Sequence, residues 1–520
     1  MAKEKPIVDL NDTQRETAKA LYERLKGDRD QYVKRAEDCA AMTIPALFPK
    51  DGNNESTSYQ TPNQSTGARG VNNLSSKLLL ALLPPNSPFF RLTPSEKIVA
   101  QLEQGGKPNA LREIEAALEK LERRIIRYIE TQQIRVTLKE ALNQLLIAGN
   151  GLIFLPPVEG GAKLYKLNRY VLERDALGNV IQHVTEDVLT FATLPNDVQQ
   201  LVASDGAEHT PYESISVYTH VYRDGDFFCS YQEVNGMIIE GSEQKFPVDK
   251  SPWIALRMVK VDGESYGRSY VEEYLGDLKN LDAHSEALRN LAAITGHILY
   301  LVNPTGITQV RRVAKAKSGD FVAGRPEDVQ VLQTNKTNDL QVSLQYVQSL
   351  EKKLGYVFLL QSAVQRDAER VTAEEVRYIA GELEDTLGGT YSILSQELQL
   401  PLVRRIMVQL ESMGEIPTLP DGAVEPTITT GLEAIGRGHD LNKLMTLKEI
   451  IASTPGSENY LKVGDFIAMC ATALGIDTTA IIKSEEELAA EQQQAMAAQM
   501  MGAAAPNLAR GFVDANAQQQ

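Results

Sequence analysis

The sequence predicts a mainly α-helical chain with a β-rich insertion, an α+β protein. Apolar residues recur at three- and four-residue steps before residue 149 and after residue 263, the period of helices with one buried face. Between 151 and 262, short strand-like runs are divided by turn dipeptides. The 520 residues are 42% hydrophobic and 23% charged, fractions ordinary for a globular protein with a sizeable core. That length implies about two to four structural units.

Taken in order, the first helix is expected over Thr13–Met42, with Leu21, Leu25, Tyr32 and Ala36 among its apolar positions. Residues 49–66 are rich in Asn, Ser and Thr and read as a loop. A helix over Gly67–Leu83 stacks Leu74, Leu78 and Leu82 and stops at Pro84-Pro85, where the ring and the missing N–H end the ladder. Helices over Asn109–Glu130 and Thr137–Ala148 follow, the second ending at Gly149. In the β-rich stretch, Gly178-Asn179, Asp224-Gly225 and Asn235-Gly236 supply the positive φ of tight hairpins; it closes with Trp253–Val261.

Ser269 with Glu272 forms a capping box for a helix to Gly296. Residues 299–338 read as strand and turn, punctuated by Asn303-Pro304, Ser318-Gly319 and Gly324-Arg325-Pro326. A helix runs from Asp339 to Leu360. After a polar break at 365–370, Thr372 and Glu375 open a long helix to Met413, with Gly388-Gly389 and Pro401 as places to kink. Pro417, Pro420 and Pro426 mark a loop. Shorter helices near Asp440–Ala452 and Asn459–Leu474 precede a tail, 484–520, rich in Gln, Ala and Met, helical or disordered.

Composition narrows the function classes. A net charge of −16 opposes tight coating of DNA, which needs Lys and Arg to displace counterions; it suits a surface that lets DNA slide past. Cys39, Cys229 and Cys470 are far apart, which disfavours a disulfide framework or zinc site and fits a reducing cytosol. The longest apolar run, Leu78–Leu83, is far short of a membrane span, so no membrane partner is expected.

The sharpest enzymatic motif is Gly263-Glu264-Ser265-Tyr266-Gly267, a G-x-S-x-G match that would make Ser265 a nucleophile with His284, His297 or His439 as base. No oxyanion loop of the His-Gly-Gly type precedes it, and hairpin-linked strands are not the βαβ crossovers of an α/β-hydrolase. The alternative is a turn leading into the Ser269 cap. No P-loop sequence occurs. Gly431–Gly438 lacks the setting of a dinucleotide site, and His284-Ser285-Glu286 lacks the cysteine partner of a deaminase. Hence no catalytic residue, cofactor or metal ligand is expected.

Two basic clusters stand out. Between 303 and 325, Arg311, Arg312, Lys315, Lys317 and Arg325 face Asp320 alone, a local charge of +4. Arg366 and Arg370 lie in the break before the long helix. Either cluster could face phosphates, pair with acidic neighbours in an assembly, or be solvated.

Several ordered blocks resemble one family. They include Thr-Ile-Pro-Ala-Leu-Phe-Pro-Lys-Asp (43–51), Gly-Ala-Arg-Gly-Val-Asn-Asn-Leu (67–74) and Asp-Gly-Glu-Ser-Tyr-Gly-Arg-Ser-Tyr (262–270). Further on come Glu-Arg-Val-Thr-Ala-Glu-Glu-Val-Arg-Tyr (369–378) and Leu-Ser-Gln-Glu-Leu-Gln-Leu-Pro-Leu-Val-Arg (394–404). From about residue 20 to 480 the chain is similar to the portal, or head-to-tail connector, proteins of short-tailed bacteriophages of the autographivirus type.

The resemblance implies a portal fold of wing, stem, clip and crown, assembled as a homo-oligomeric ring of twelve at one capsid vertex. It implies passage of double-stranded DNA in packaging and ejection, nucleation of procapsid assembly, and no enzymatic activity. The implied partners are scaffolding protein, major capsid protein, internal core proteins, terminase large subunit, and tail adaptor and tail tube proteins. The location is the virion after assembly in the host bacterial cytoplasm. Carried onto this sequence, 1–262 is the wing, 263–298 and 339–364 the stem helices, and 299–338 the clip. Residues 365–371 become the tunnel loop, 372–413 the long kinked wing helix, 414–483 the crown and 484–520 the tail. Arg366 and Arg370 then face DNA, while Arg311, Arg312, Lys315, Lys317 and Arg325 face terminase or adaptor. The competing readings are a serine hydrolase using Ser265 and a cytosolic helical scaffold that never meets DNA.

Overall fold

The computed structural model describes residues 16–50, 59–85, 88–104, 108–158, 160–203, 209–296, 299–332, 337–360, 393–417, 422–428 and 446–451, with isolated positions 383, 387, 420, 453 and 466. The chain divides into two compact units, residues 1–430 and 431–520. In the second, residues 446–451 are helical; all elements below belong to the first.

Helix α1 (Ala18–Ala41) begins where Thr17 Oγ1 accepts the amide of Ala20 at 3.2 Å. The buried carboxylate of Glu233 accepts the amides of Ala18 and Lys19 at 2.6 and 3.3 Å, placing negative charge at the positive end of the helix dipole. Then come α2 (Thr66–Leu82), β1 (Phe90–Pro94), α3 (Glu96–Gln104), α4 (Pro108–Thr131) and α5 (Ile134–Ala148). Leu138, Ala141, Leu142, Leu145, Leu146 and Ile147 of α5 are all buried, and α1, α2 and α4 pack around it. Gly149 ends α5 at φ +75°, where an added Cβ would strike the backbone of Arg268.

The insertion holds two antiparallel sheets. Strands β2 (Asn150–Phe154) and β3 (Lys163–Tyr165) form one with a later strand, while β4 (Tyr170–Arg174) and β5 (Val180–Thr190) open the other. Helix α6 (Asn196–Ala203) follows, a helix for which the hairpin pattern gave no sign. Next are β6 (Ser214–Asp224), β7 (Phe227–Val234), β8 (Met237–Ile238), β9 (Gln244–Pro247) and β10 (Trp253–Arg257). The larger sheet runs β4-β5-β6-β7-β8 with β9 also on β7, and the smaller runs β10-β2-β3. The expected turns are present: Gly178, Gly225, Asn235 and Gly236 all have positive φ.

Leu21, Tyr22 and Leu25 of α1 cover Val171, Val184, Tyr218 and Tyr231 on one face of the larger sheet. The smaller sheet lies on the other side, where the His183 ring is 5.1 Å from Trp253. There Asp187 accepts from the Tyr165 hydroxyl at 2.7 Å and the Lys163 ammonium at 2.5 Å.

Beyond the insertion lie α7 (Tyr270–Glu273), α8 (Leu275–Gly296), β11 (Leu299–Val302), α9 (Val310–Val313), β12 (Val329–Leu332) and α10 (Thr337–Val357). The capping box is half made. Ser269 Oγ accepts the Glu272 amide at 3.2 Å, but the Glu272 carboxylate pairs with Arg268 at 3.3 Å, and the expected single helix breaks at Tyr274 into α7 and α8.

The described part of the long helix contains a π turn, Ser395–Gln399, leading into α11 (Leu400–Ser412). Pro401 has no N–H for the Glu397 carbonyl and its ring would crowd that turn. The chain widens there, so that the Leu400 amide donates to Ser395 five residues back. The bend expected at Pro401 is thus a π-bulge, while Gly388-Gly389 lie outside the described residues. The proline-marked loop is corrected in part: Pro417 and Pro420 lie outside any helix or strand, but β13 (Val424–Ile428) pairs with β1, Pro426 opposite Leu92. A two-stranded ribbon leaves each strand an open edge, where a proline's missing donor is tolerated.

Candidate functional site

Helices α8 and α10 form an antiparallel pair that carries the β11–β12 ribbon. Lys353 binds Asp277 at 2.7 Å and His284 meets the Tyr346 ring at 4.8 Å, so residue numbers rise along one helix as they fall along the other. Asp277 raises the Lys353 ammonium above its usual range through their hydrogen bond. The pair is fastened at its base. Asn73 Nδ2 donates to the carbonyls of Phe358 and Leu359 at 3.0 and 2.9 Å, Lys77 Nζ donates to Leu359 at 3.0 Å, and the Tyr270 hydroxyl donates to Val357 at 3.0 Å. Gly70 lets Phe358 lie against α2, since an added Cβ would fall 2.5 Å from the ring.

At the other end, β11 and β12 pair from Leu299↔Leu332 to Val302↔Val329. The chain between them is organised by Asp328. Its carboxylate accepts the Thr308 hydroxyl at 2.7 Å and the Thr308 amide at 3.2 Å, and the hydroxyl bond chiefly holds its pKa below the usual range. Thr308 Oγ1 in turn accepts the Arg325 amide at 2.9 Å. Gly306 stands where a Cβ would collide with that carboxylate. Arg311, Arg312, Lys315, Lys317 and Arg325 all lie on this tip and all are exposed. No ion pair links any of them to a carboxylate among the described residues. The structure therefore brings the five cations to one solvated projection. Arg366 and Arg370 lie outside the described residues.

Ser265 has a different setting from a nucleophile. Gly263 has φ +76° and Gly267 sits too close to Val259 and Arg257 for a Cβ, so the glycines shape a turn. Within it the Tyr266 hydroxyl accepts the Leu172 amide at 2.9 Å and Ser265 Oγ accepts the Arg174 amide at 3.4 Å. Both amides are on β4, the edge strand of the larger sheet, so this turn satisfies donors that would otherwise invite another strand. Among the described residues no histidine bonds Ser265.

Two buried arginines tie the long helix to the insertion, and sequence reasoning missed both. Arg257 of β10 holds Glu397, at the centre of the π turn, through a backbone amide at 3.0 Å and its guanidinium, Nε at 3.0 Å and Nη2 closer still. Arg405, 1% exposed, donates to the carbonyls of Leu155 and Lys250 at 3.3 and 3.2 Å, and burial lowers its pKa to about 10. A charged residue at the end of a strand or on a helix reads as surface in the sequence; only the fold brings the Glu397 carboxylate to Arg257 and the carbonyls of Leu155 and Lys250 to Arg405. Among the described residues no group of three or more His, Cys, Asp or Glu side chains is placed to hold a metal. No described helix is long and apolar enough to cross a membrane.

The sequence matches, over residues 15–482, the family described as bacteriophage head to tail connecting protein. The chain belongs to this family. It is 51% identical to the portal protein of Escherichia phage T7 over 480 residues, covering 90% of this chain and 89% of that one. It is equally 51% identical to the portal protein of Enterobacteria phage T3, with the same coverage, and 28% identical to that of Enterobacteria phage SP6, over 92% of each chain. Among solved structures, the neck of an empty GTA particle aligns over 80% of this chain and 91% of its own, at 11% identity and a TM-score of 0.38, too distant to argue from.

Proposed function

We propose that copies of this chain form a ring, a dodecamer, at one capsid vertex of a short-tailed phage, and that double-stranded DNA passes through its channel during packaging and ejection. The observation that carries this is the family match along nearly the whole chain together with half-identity to two portal proteins. In this reading the protein is structural, and an associated terminase supplies the ATPase. It nucleates procapsid assembly with scaffolding protein, major capsid protein and internal core proteins. It docks terminase large subunit first and tail adaptor and tail tube proteins afterwards, assembling in the host bacterial cytoplasm and ending in the virion.

The same reading gives the regions their roles. Residues 1–262 are the wing, 263–298 and 339–364 the stem, 299–338 the clip, 365–371 the tunnel loop, 372–413 the long wing helix and 414–483 the crown. Two features support it. Val342, Tyr346 and Tyr356, which share one face of α10, are exposed large apolar side chains, an apolar stripe that the helix pair alone leaves in water. Ring contacts join two different faces of the same chain, and such a stripe supplies one. The acidic balance of −16 per copy lets a channel repel phosphates, with Arg366 and Arg370 as weak grips on passing DNA.

The test is packaging with variant portals. Arg366→Ala with Arg370→Ala leaves rings intact and alters DNA retention; unchanged packaging and retention would remove the two arginines from the channel. Reversing Arg311 and Arg312 to Glu weakens docking of terminase or adaptor, and an unaltered pull-down would contradict the clip assignment.

A further inference from the structure

We propose that Phe321 is an aromatic anchor that, with the cations around it, seats the ribbon tip on a partner protein whose acidic surface encloses an apolar socket. This deepens the docking role given to 299–338 and rests on it. Phe321 is wholly exposed and Ile307 is 72% exposed, while Val310, Val313 and Val322 are also open to solvent. Five exposed apolar side chains on one small projection are a high local density for a surface left in water. They are interleaved with Arg311, Arg312, Lys315, Lys317 and Arg325. An exposed aromatic on the same projection as three arginines has the composition of interface hot spots.

The tip is also prepared for binding. Asp328 fixes Thr308, Thr308 fixes Arg325, the Asn303 amide donates to the Asp328 carbonyl at 2.9 Å, and the Asp320 carboxylate accepts the Lys317 amide at 2.7 Å. A loop already held by its own hydrogen bonds loses less entropy when it docks.

Charge decides the occupant. In a ring, the same tip of each copy stands at the same height, so neighbouring copies present like charge to one another at this level. A second copy of the tip is therefore a poor cover for these apolar groups. An acidic surface gains from all five cations, and its socket takes the ring of Phe321.

The experiment uses rings of the full chain with purified terminase large subunit and purified tail adaptor of the same phage as separate probes, binding being measured at low and high salt. Phe321→Ala weakens binding of whichever probe docks by about thirtyfold, the scale of a hot-spot loss, with ring assembly unchanged, and Phe321→Leu recovers part of it. Arg311→Glu with Arg312→Glu also weakens binding, and most at low salt. If the arginine reversal matters and Phe321→Ala does not, the anchor is refuted while the docking role stands. If neither matters, or neither probe binds wild-type rings, the docking role itself falls. If Phe321→Ala prevents ring assembly, the side chain belongs between copies and the proposal is overturned.

Discussion

His183 shows what a single buried residue can do to a pH profile. It is fully buried on β5, edge-on to Trp253, and neither ring nitrogen finds a hydrogen-bond partner in this structure. Burial first, then the nearby His220 and Arg174, lowers its pKa to about 3. An unfolded imidazole takes up its proton near 6.5. Between those values the unfolded chain therefore binds more protons, so stability falls as pH falls through the window, by up to roughly 1.4 kcal/mol per pH unit. Unfolding followed from pH 7 to 4 checks this: His183→Leu removes that part of the slope, and identical slopes in the two proteins would contradict the assignment. Gly70 makes a second residue-scale case. Phe358 occupies the space of a Cβ, so Gly70→Ala overpacks the seat of α10 and costs about 1–3 kcal/mol, read as a lowered midpoint in urea; an unchanged midpoint would mean that the seat gives way without strain.

Among the elements, the ribbon tip depends on one carboxylate. Asp328→Ala removes the acceptor of the Thr308 amide and hydroxyl, and amide exchange across 303–328 then rises by about tenfold while exchange in α5 is unaltered. Exchange unchanged across the tip would show that the turn is held by something else. The π turn makes a parallel prediction. Glu397→Gln keeps the side-chain shape but loses the charge that Arg257 holds, and leaves a cation buried with a neutral partner, so the first unit is destabilised by about 3 kcal/mol or more. Unchanged unfolding would contradict a tie at that point. Legibility in the sequence follows the range of the interactions concerned. Helices α1, α2, α4, α5 and α10 are within a few residues of their 3.6-residue patterns, because each buries one face along its own length. The hairpins are where Gly178, Gly225 and Asn235-Gly236 place them, because positive φ is a local demand. Strand β13 was hidden because it exists only by pairing with β1, more than 300 positions earlier in the chain. In the same way Asp328, Glu397 and Arg405 gain meaning only from partners that folding brings to them, whereas the basic cluster at 311–325 was legible because charge against an acidic background needs no partner.

At the largest scale, the acidic chain presents in its first unit a positively charged tip, a helix pair with an exposed apolar stripe, and a mainly helical body whose antiparallel sheets are joined to it through buried arginines. The apolar stripe has a consequence for assembly. If Val342, Tyr346 and Tyr356 lie between copies as proposed, salt that screens the −16 charge of each copy tightens association as ionic strength rises, whereas docking through the tip weakens. Association that fell with salt would place charge pairs rather than apolar contact between copies. The central claim is that copies stand side by side around an axis open enough for a DNA duplex, and electron microscopy of the purified full-length protein tests it most directly. The account predicts annular particles with a central hole and uniform copy number; compact single subunits at every concentration and salt tried would contradict it.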